Sequence, residues 1–148
     1  MIIIRISMFN YHKRINKELE NINANIISST IKKKFRYNND IIDIEFSNNY
    51  PFEPPNKIYI NYKLLDYNYN MDNDVQYIVE NYYNIRCFCC KSLMCANNWK
   101  PSNKITDILE ENNKNIELIE KIKKLLLIID LSKNKLPTDV YTLLLDYM

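Results

Sequence analysis

Glycine is absent from this 148-residue chain. Without a glycine loop there is no backbone cradle for a nucleotide phosphate or a dinucleotide, and two familiar enzyme classes drop out. Every backbone position that needs a positive φ must fall to Asn or Asp, the next most tolerant residues. Charge of one sign is also lacking. The balance of 20 basic against 18 acidic side chains leaves a formal charge of +2, far from the basic stripe of a dedicated nucleic-acid binder. Long apolar runs are missing too: the longest, Leu125 to Ile129, falls well short of a membrane span. Neither nucleic acid nor membrane is therefore an expected partner. The opening Met1-Ile2-Ile3-Ile4-Arg5-Ile6 is too short, and charged too early, for a signal peptide.

What the chain has in abundance is Asn, Ile, Lys and Tyr. That composition looks like the imprint of an AT-rich genome and resembles giant-virus, protist or parasite proteins. The length suits one domain, residues 1–148, with a core that needs no staples. A reducing intracellular setting is the default, cytoplasmic or nuclear, within the host cell if the source is viral.

A helix is expected over about Asn10 to Ile22, capped by Asn10, with Ile15, Leu19 and Ile22 on one face and Lys13, Arg14 and Lys17 on the solvated side. Strand-type runs follow at Asn25 to Ile31, Lys33 to Tyr37 and Ile41 to Phe46, with Asn38-Asn39-Asp40 turning between the last two. The prolines of Asn49 to Pro55 forbid helix and ladder, so a rigid extended segment is expected before a strand at Lys57 to Tyr62. Residues 63–84 read as a long loop with one helical turn. A helical stripe resumes with Ile105, Ile108, Leu109, Ile116, Ile119, Ile122 and Leu126, with a break in Glu110 to Asn115, and a short helix closes the chain at Pro137 to Tyr147. The order is α+β, an antiparallel sheet of about four strands flanked by helices.

All four cysteines and the only tryptophan fall between Cys87 and Pro101. Three chemistries fit such crowding: a reactive thiol beside an exposed turn, a metal knot, or a buried inert cluster. Inert burial is the commonest fate of an intracellular cysteine. Cys87, Cys89, Cys90 and Cys95 supply enough thiolates for tetrahedral zinc, but four ligands within nine residues would strain the backbone, so no metal is expected. Neighbours such as Cys89 and Cys90 also make a poor disulfide framework.

Two ordered segments resemble the ubiquitin-conjugating enzyme family. Tyr50-Pro51-Phe52-Glu53-Pro54-Pro55, followed by a strand, is similar to the family's Tyr-Pro-Phe-x-Pro-Pro stretch. Cys90, with apolar Leu93 and Met94 three and four residues later and Asn98-Trp99-Lys100-Pro101 beyond, looks like the family's active-site cysteine and the Trp-x-Pro loop that opens a helix. Cys89 is the rival in this register, but it would place Ser92 at the first apolar position. The resemblance implies a transferase in which Cys90 carries ubiquitin or a ubiquitin-like modifier as a thioester and passes it to a substrate lysine. It implies Phe52, Lys100 and Pro101 as the ligase-docking loops, and Lys13, Arg14 and Lys17 as the face that meets the activating enzyme. No cofactor is needed. The family's His-Pro-Asn element is missing: the only histidine is His12, and the corresponding window holds Val79 to Asn84. Asn81 there is the candidate for the oxyanion-supporting amide. The alternative function, from a different class, is a catalytically silent variant of the fold that binds ubiquitin or a partner enzyme. A zinc-stabilised interaction domain is a third reading.

Overall fold

The computed structural model describes residues 13–21, 25–28, 32–131 and 140. The Asn10 cap, Ile22, the far end of the first strand and the closing helix, Val140 apart, lie outside them. The fold is α+β. Helix α1 covers residues 13–21, and β1 (Asn25–Ser28), β2 (Lys32–Tyr37), β3 (Asp40–Glu45), β4 (Lys57–Ile60) and β5 (Lys63–Leu64) follow. Helices α2 (Asn73–Asn81), α3 (Phe88–Lys91) and α4 (Ile105–Leu131) complete the described elements. The chain divides into two compact units. One runs up to Tyr67 and takes in Cys89–Leu109; the other combines Asn68–Phe88 with the chain from Glu110 onward.

In the first unit the five strands form one antiparallel meander in the order of the chain. Alternation decides the faces: Phe35 pairs with Ile42 and Ile44 with Ile58, and all four are fully buried. The opposite face carries Lys32, Glu45 and Lys57 in one row and Lys34, Asp43 and Tyr59 in the next. Opposite charges thus sit across from each other, with Lys32 Nζ 3.3 Å from Glu45. Ile15 and Leu19 of α1, Phe46, Tyr50, Trp99, Ile105, Ile108 and Leu109 join the buried side of the sheet in one apolar cluster.

Among the described residues, six take positive φ: Asn38, Asn61, Tyr62, Tyr67, Asn70 and Asn84. Four are asparagines, as a glycine-free chain demands, but two are tyrosines, outside the Asn-or-Asp expectation. At Asn61-Tyr62 both residues of a two-residue hairpin are left-handed, the backbone of a type I′ turn. Asn61 compensates by bonding: its Oδ1 accepts from Ile41 N at 2.9 Å and its Nδ2 donates to Asp40 at 2.6 Å. The Lys34 ammonium lies 4.6 Å above the Tyr62 ring. Asn61→Ala is expected to cost about 1–2 kcal/mol, because it loses those bonds and with them the local hydrogen bonding that lets asparagine tolerate a left-handed backbone. Asn61→Gly restores the turn but not the bonds, so its urea midpoint should fall between those of the wild type and the alanine variant.

The second unit corrects two expectations. Residues 63–84 hold a nine-residue helix, α2, where one helical turn was expected. Asp72 caps it by accepting from Val75 N at 2.9 Å, and Val75, Ile78 and Val79 bury one face. Helix α4 runs through Glu110 to Asn115 without a break. Asn112 is buried there and accepts from the Tyr69 hydroxyl at 3.1 Å, while Asn115 donates to the same hydroxyl at 3.2 Å. These bonds satisfy the asparagine amides that would otherwise oppose helix in this stretch. Ile116, expected on the buried stripe, is exposed; Ile119, Ile122 and Leu125 are buried.

Candidate functional site

The proline-rich segment is a folded turn, where an extended strap was expected. Phe52 N donates to Asn49 O at 2.7 Å, and the Tyr50–Pro51 peptide is cis. The Glu53 carboxylate holds the turn from inside, accepting from the Ser47 hydroxyl at 3.1 Å and from Asn49 Nδ2 at 3.0 Å. Tyr50 is buried by this arrangement, and its ring meets Phe46 edge-on at 4.9 Å. Phe52 is left pointing outward, 77 % exposed. An aromatic side chain with that exposure on a rigid turn has no packing role.

Cys90 stands near the end of the four-residue α3, and a set of short bonds closes the chain after it. The Ser92 hydroxyl donates to Cys89 O at 3.1 Å, and Asn98 N and Trp99 N both donate to Cys95 O. Asn98 is the central tie: its Nδ2 donates to Cys90 O at 2.8 Å and to Ser92 O at 3.0 Å. Leu93 and Met94 pack half-buried against the apolar cluster, which orients the turn. Trp99 is buried, and its indole N–H donates to Pro51 O at 2.7 Å. Two segments 48 residues apart in sequence are thereby pinned together by one hydrogen bond. Lys100 and Pro101 remain exposed beyond it.

Beneath this surface lies a polar hub that the sequence does not announce. Glu18 is buried in the face of α1 next to Ile15 and Leu19. Its Oε2 accepts from the Tyr50 hydroxyl at 2.8 Å and from Ile105 N at 3.1 Å, where α4 begins. A carboxylate there is favoured by the positive end of the helix. Its other oxygen accepts from Arg14 Nε, and the Arg14 guanidinium also reaches Pro101 O and Asn103 O at 3.4 Å. Burial opposes the Arg14 charge, but the hydrogen bond to Glu18 and its negative field outweigh it and raise the pKa. This corrects the solvated placement expected for Arg14, because the helix turn that buries Glu18 draws its i−4 neighbour inward. Lys13 and Lys17 are exposed as expected. One residue pattern was available as a signal: Arg14 and Glu18 stand four apart beside the apolar stripe.

Burial, reinforced by the Glu18 charge and hydrogen bond, pushes the Tyr50 pKa well above the ordinary tyrosine value of 10.0. The neutral phenol is thus favoured by folding. Its stabilising contribution is whole below about pH 10 and is lost as the pH climbs toward the folded-state pKa. Above pH 10 the wild type should therefore lose up to about 1.4 kcal/mol per pH unit that Tyr50→Phe does not lose. Urea midpoints of both proteins at pH 8, 10 and 11 measure the difference. A gap between them that stays constant would contradict the assignment.

The sulfurs differ in state. Cys90 and Cys95 are free thiols, while Cys87 and Cys89 are disulfide-bonded. With four cysteines in the chain, that bond joins 87 to 89. It spans one residue and staples no distant segments, so the cysteines form no disulfide framework. Bonded sulfurs are not thiolate ligands, so a metal could use this pair only after reduction. Of the two rival nucleophiles, only Cys90 is both exposed and free. Its Sγ lies 3.8 Å from that of Cys89. Asn81 belongs to the second unit, at the end of α2, where its Nδ2 donates to Tyr77 O at 2.8 Å. An amide nitrogen carries a second N–H, which this bond leaves over.

Among the described residues, no helix is long and apolar enough to cross a membrane. No family model, curated protein or solved structure matches this chain.

Proposed function

We propose that this chain is a divergent ubiquitin-conjugating-enzyme-like transferase that carries ubiquitin or a ubiquitin-like modifier on Cys90. The observation that carries the reading is the Trp99–Pro51 hydrogen bond. It joins the two segments on which the resemblance rests and leaves a free, exposed thiol on one of them. The chemistry needs only sulfur and nitrogen nucleophiles. The Cys90 thiolate attacks the modifier's thioester carbonyl on the activating enzyme, whose thiol leaves as the new thioester forms. A substrate lysine amine then attacks the same carbonyl, forms an amide and releases Cys90. Asn81 is the candidate amide for the oxyanion. Phe52, Lys100 and Pro101 offer the ligase-docking surface, and Lys13 and Lys17 the face for the activating enzyme. Arg14, engaged with Glu18, supports that face from within. The step calls for no cofactor, and its setting is the cytoplasm or nucleus.

The test is a charging reaction. The protein, incubated with activating enzyme, ATP and ubiquitin, should give an adduct on a non-reducing gel that disappears with thiol reductant. No adduct, alongside measurable ubiquitin binding, would replace the enzyme with a silent binding variant.

A further inference from the structure

Three sulfurs in one short stretch are in two different states, and the transferase reading uses only one of them. Cys90 is a free thiol; Cys89 is disulfide-bonded; both are exposed, and their sulfurs are 3.8 Å apart. That distance is sulfur–sulfur contact, and a disulfide needs about 2.05 Å. Closing the gap takes a sulfur shift of under about 2 Å together with a backbone adjustment in the four-residue α3, because adjacent Cα atoms lie about 3.8 Å apart, below the usual disulfide range. A thiolate beside a disulfide sulfur is the reactant pair of thiol–disulfide exchange.

We propose that Cys90 and Cys89 form a thiol–disulfide exchange site, with Cys90 as nucleophile and the Cys89 sulfur as electrophile. The Cys90 thiol gives its proton to solvent and its thiolate attacks Cys89 Sγ. A Cys89–Cys90 bond forms as the Cys87–Cys89 bond breaks, and Cys87 leaves as a thiolate that takes up a proton. One disulfide exists before and after, so no outside oxidant or reductant is consumed. A disulfide between adjacent residues closes a strained ring, which keeps it easily reduced and the exchange reversible. The free thiol moves from Cys90 to Cys87, and Cys90 is masked. That this masking stops modifier transfer rests on the function proposed above; the exchange itself does not.

Peptide mapping tests the exchange without any modifier present. In Cys87→Ser, treatment with diamide followed by trypsin should release the peptide from residue 87 to Lys91 lacking two hydrogens, and dithiothreitol should restore them. Recovery of that peptide with both thiols open, or bonded only to Cys95, overturns the proposal. In the native chain, slow alkylation with iodoacetamide at pH 8, then chymotrypsin after Phe88, separates Cys87 from Cys89 and Cys90. Label on Cys87 that increases with time and vanishes in Cys90→Ser supports exchange. Label on Cys87 that persists in Cys90→Ser overturns the assignment of Cys90 as the attacking group. Loss of modifier charging after diamide, with charging recovered in dithiothreitol, reads the consequence separately.

Discussion

Glu18→Ala should destabilise the protein by about 2–5 kcal/mol, the cost of leaving two buried donors without their acceptor. The estimate follows from what is left behind. The Tyr50 hydroxyl and the Ile105 amide both lose their acceptor inside the apolar cluster, and the Arg14 guanidinium loses its carboxylate. Arg14 is one-third exposed and can turn to water, but the other two cannot. Against a domain stability of about 5–15 kcal/mol, such a loss is severe. Glu18→Gln keeps an acceptor oxygen and should lose roughly half as much. Urea denaturation followed by circular dichroism checks both. An alanine variant within about 1 kcal/mol of wild type would mean that the hub relaxes or hydrates, and that Glu18 does not organise the start of α4.

Cys90→Ser should abolish the reductant-sensitive adduct completely. A serine hydroxyl is hardly ionised near neutral pH and is a far weaker nucleophile than a thiolate, so no thioester can form. Any product would be an oxyester, slow to appear and resistant to dithiothreitol. Cys89→Ser is the control for register, and its thiol-sensitive adduct should persist. Retention of the adduct in Cys90→Ser together with its loss in Cys89→Ser would move the nucleophile by one residue. Leu93 and Met94, packed half-buried against the cluster, argue against that slip.

The strands were legible because alternation leaves a plain record. Ile42 and Ile44 alternate with Asp43 and Glu45, and the structure buries the first pair while ranging the second along the charged face. Helix α2 was hidden because only Val75, Ile78 and Val79 mark its buried face among tyrosines, asparagines and acids. Its cap, Asp72, is a local signal set in a polar stretch. The break expected in Glu110 to Asn115 is absent because Asn112 and Asn115 are satisfied within the helix. Their partner, the Tyr69 hydroxyl, is 43 and 46 residues away and leaves no trace in a local pattern.

The crowded cysteines, the Trp-Lys-Pro turn, the proline-rich segment and the asparagine-dependent turns follow from residue type and spacing. The absence of glycine alone accounts for Asn38, Asn61, Asn70 and Asn84 taking left-handed backbone. Only the tertiary structure decided that Cys90 and Cys95 are free, that Phe52 faces outward while Tyr50 is buried, and that Arg14 turns inward to Glu18. The reason is range. Periodicity and turn chemistry act over a few residues, whereas the Trp99–Pro51 bond and the Glu18 hub join groups 48 and 87 residues apart. Desolvation makes such contacts stringent, and they exist only once the chain has closed on itself.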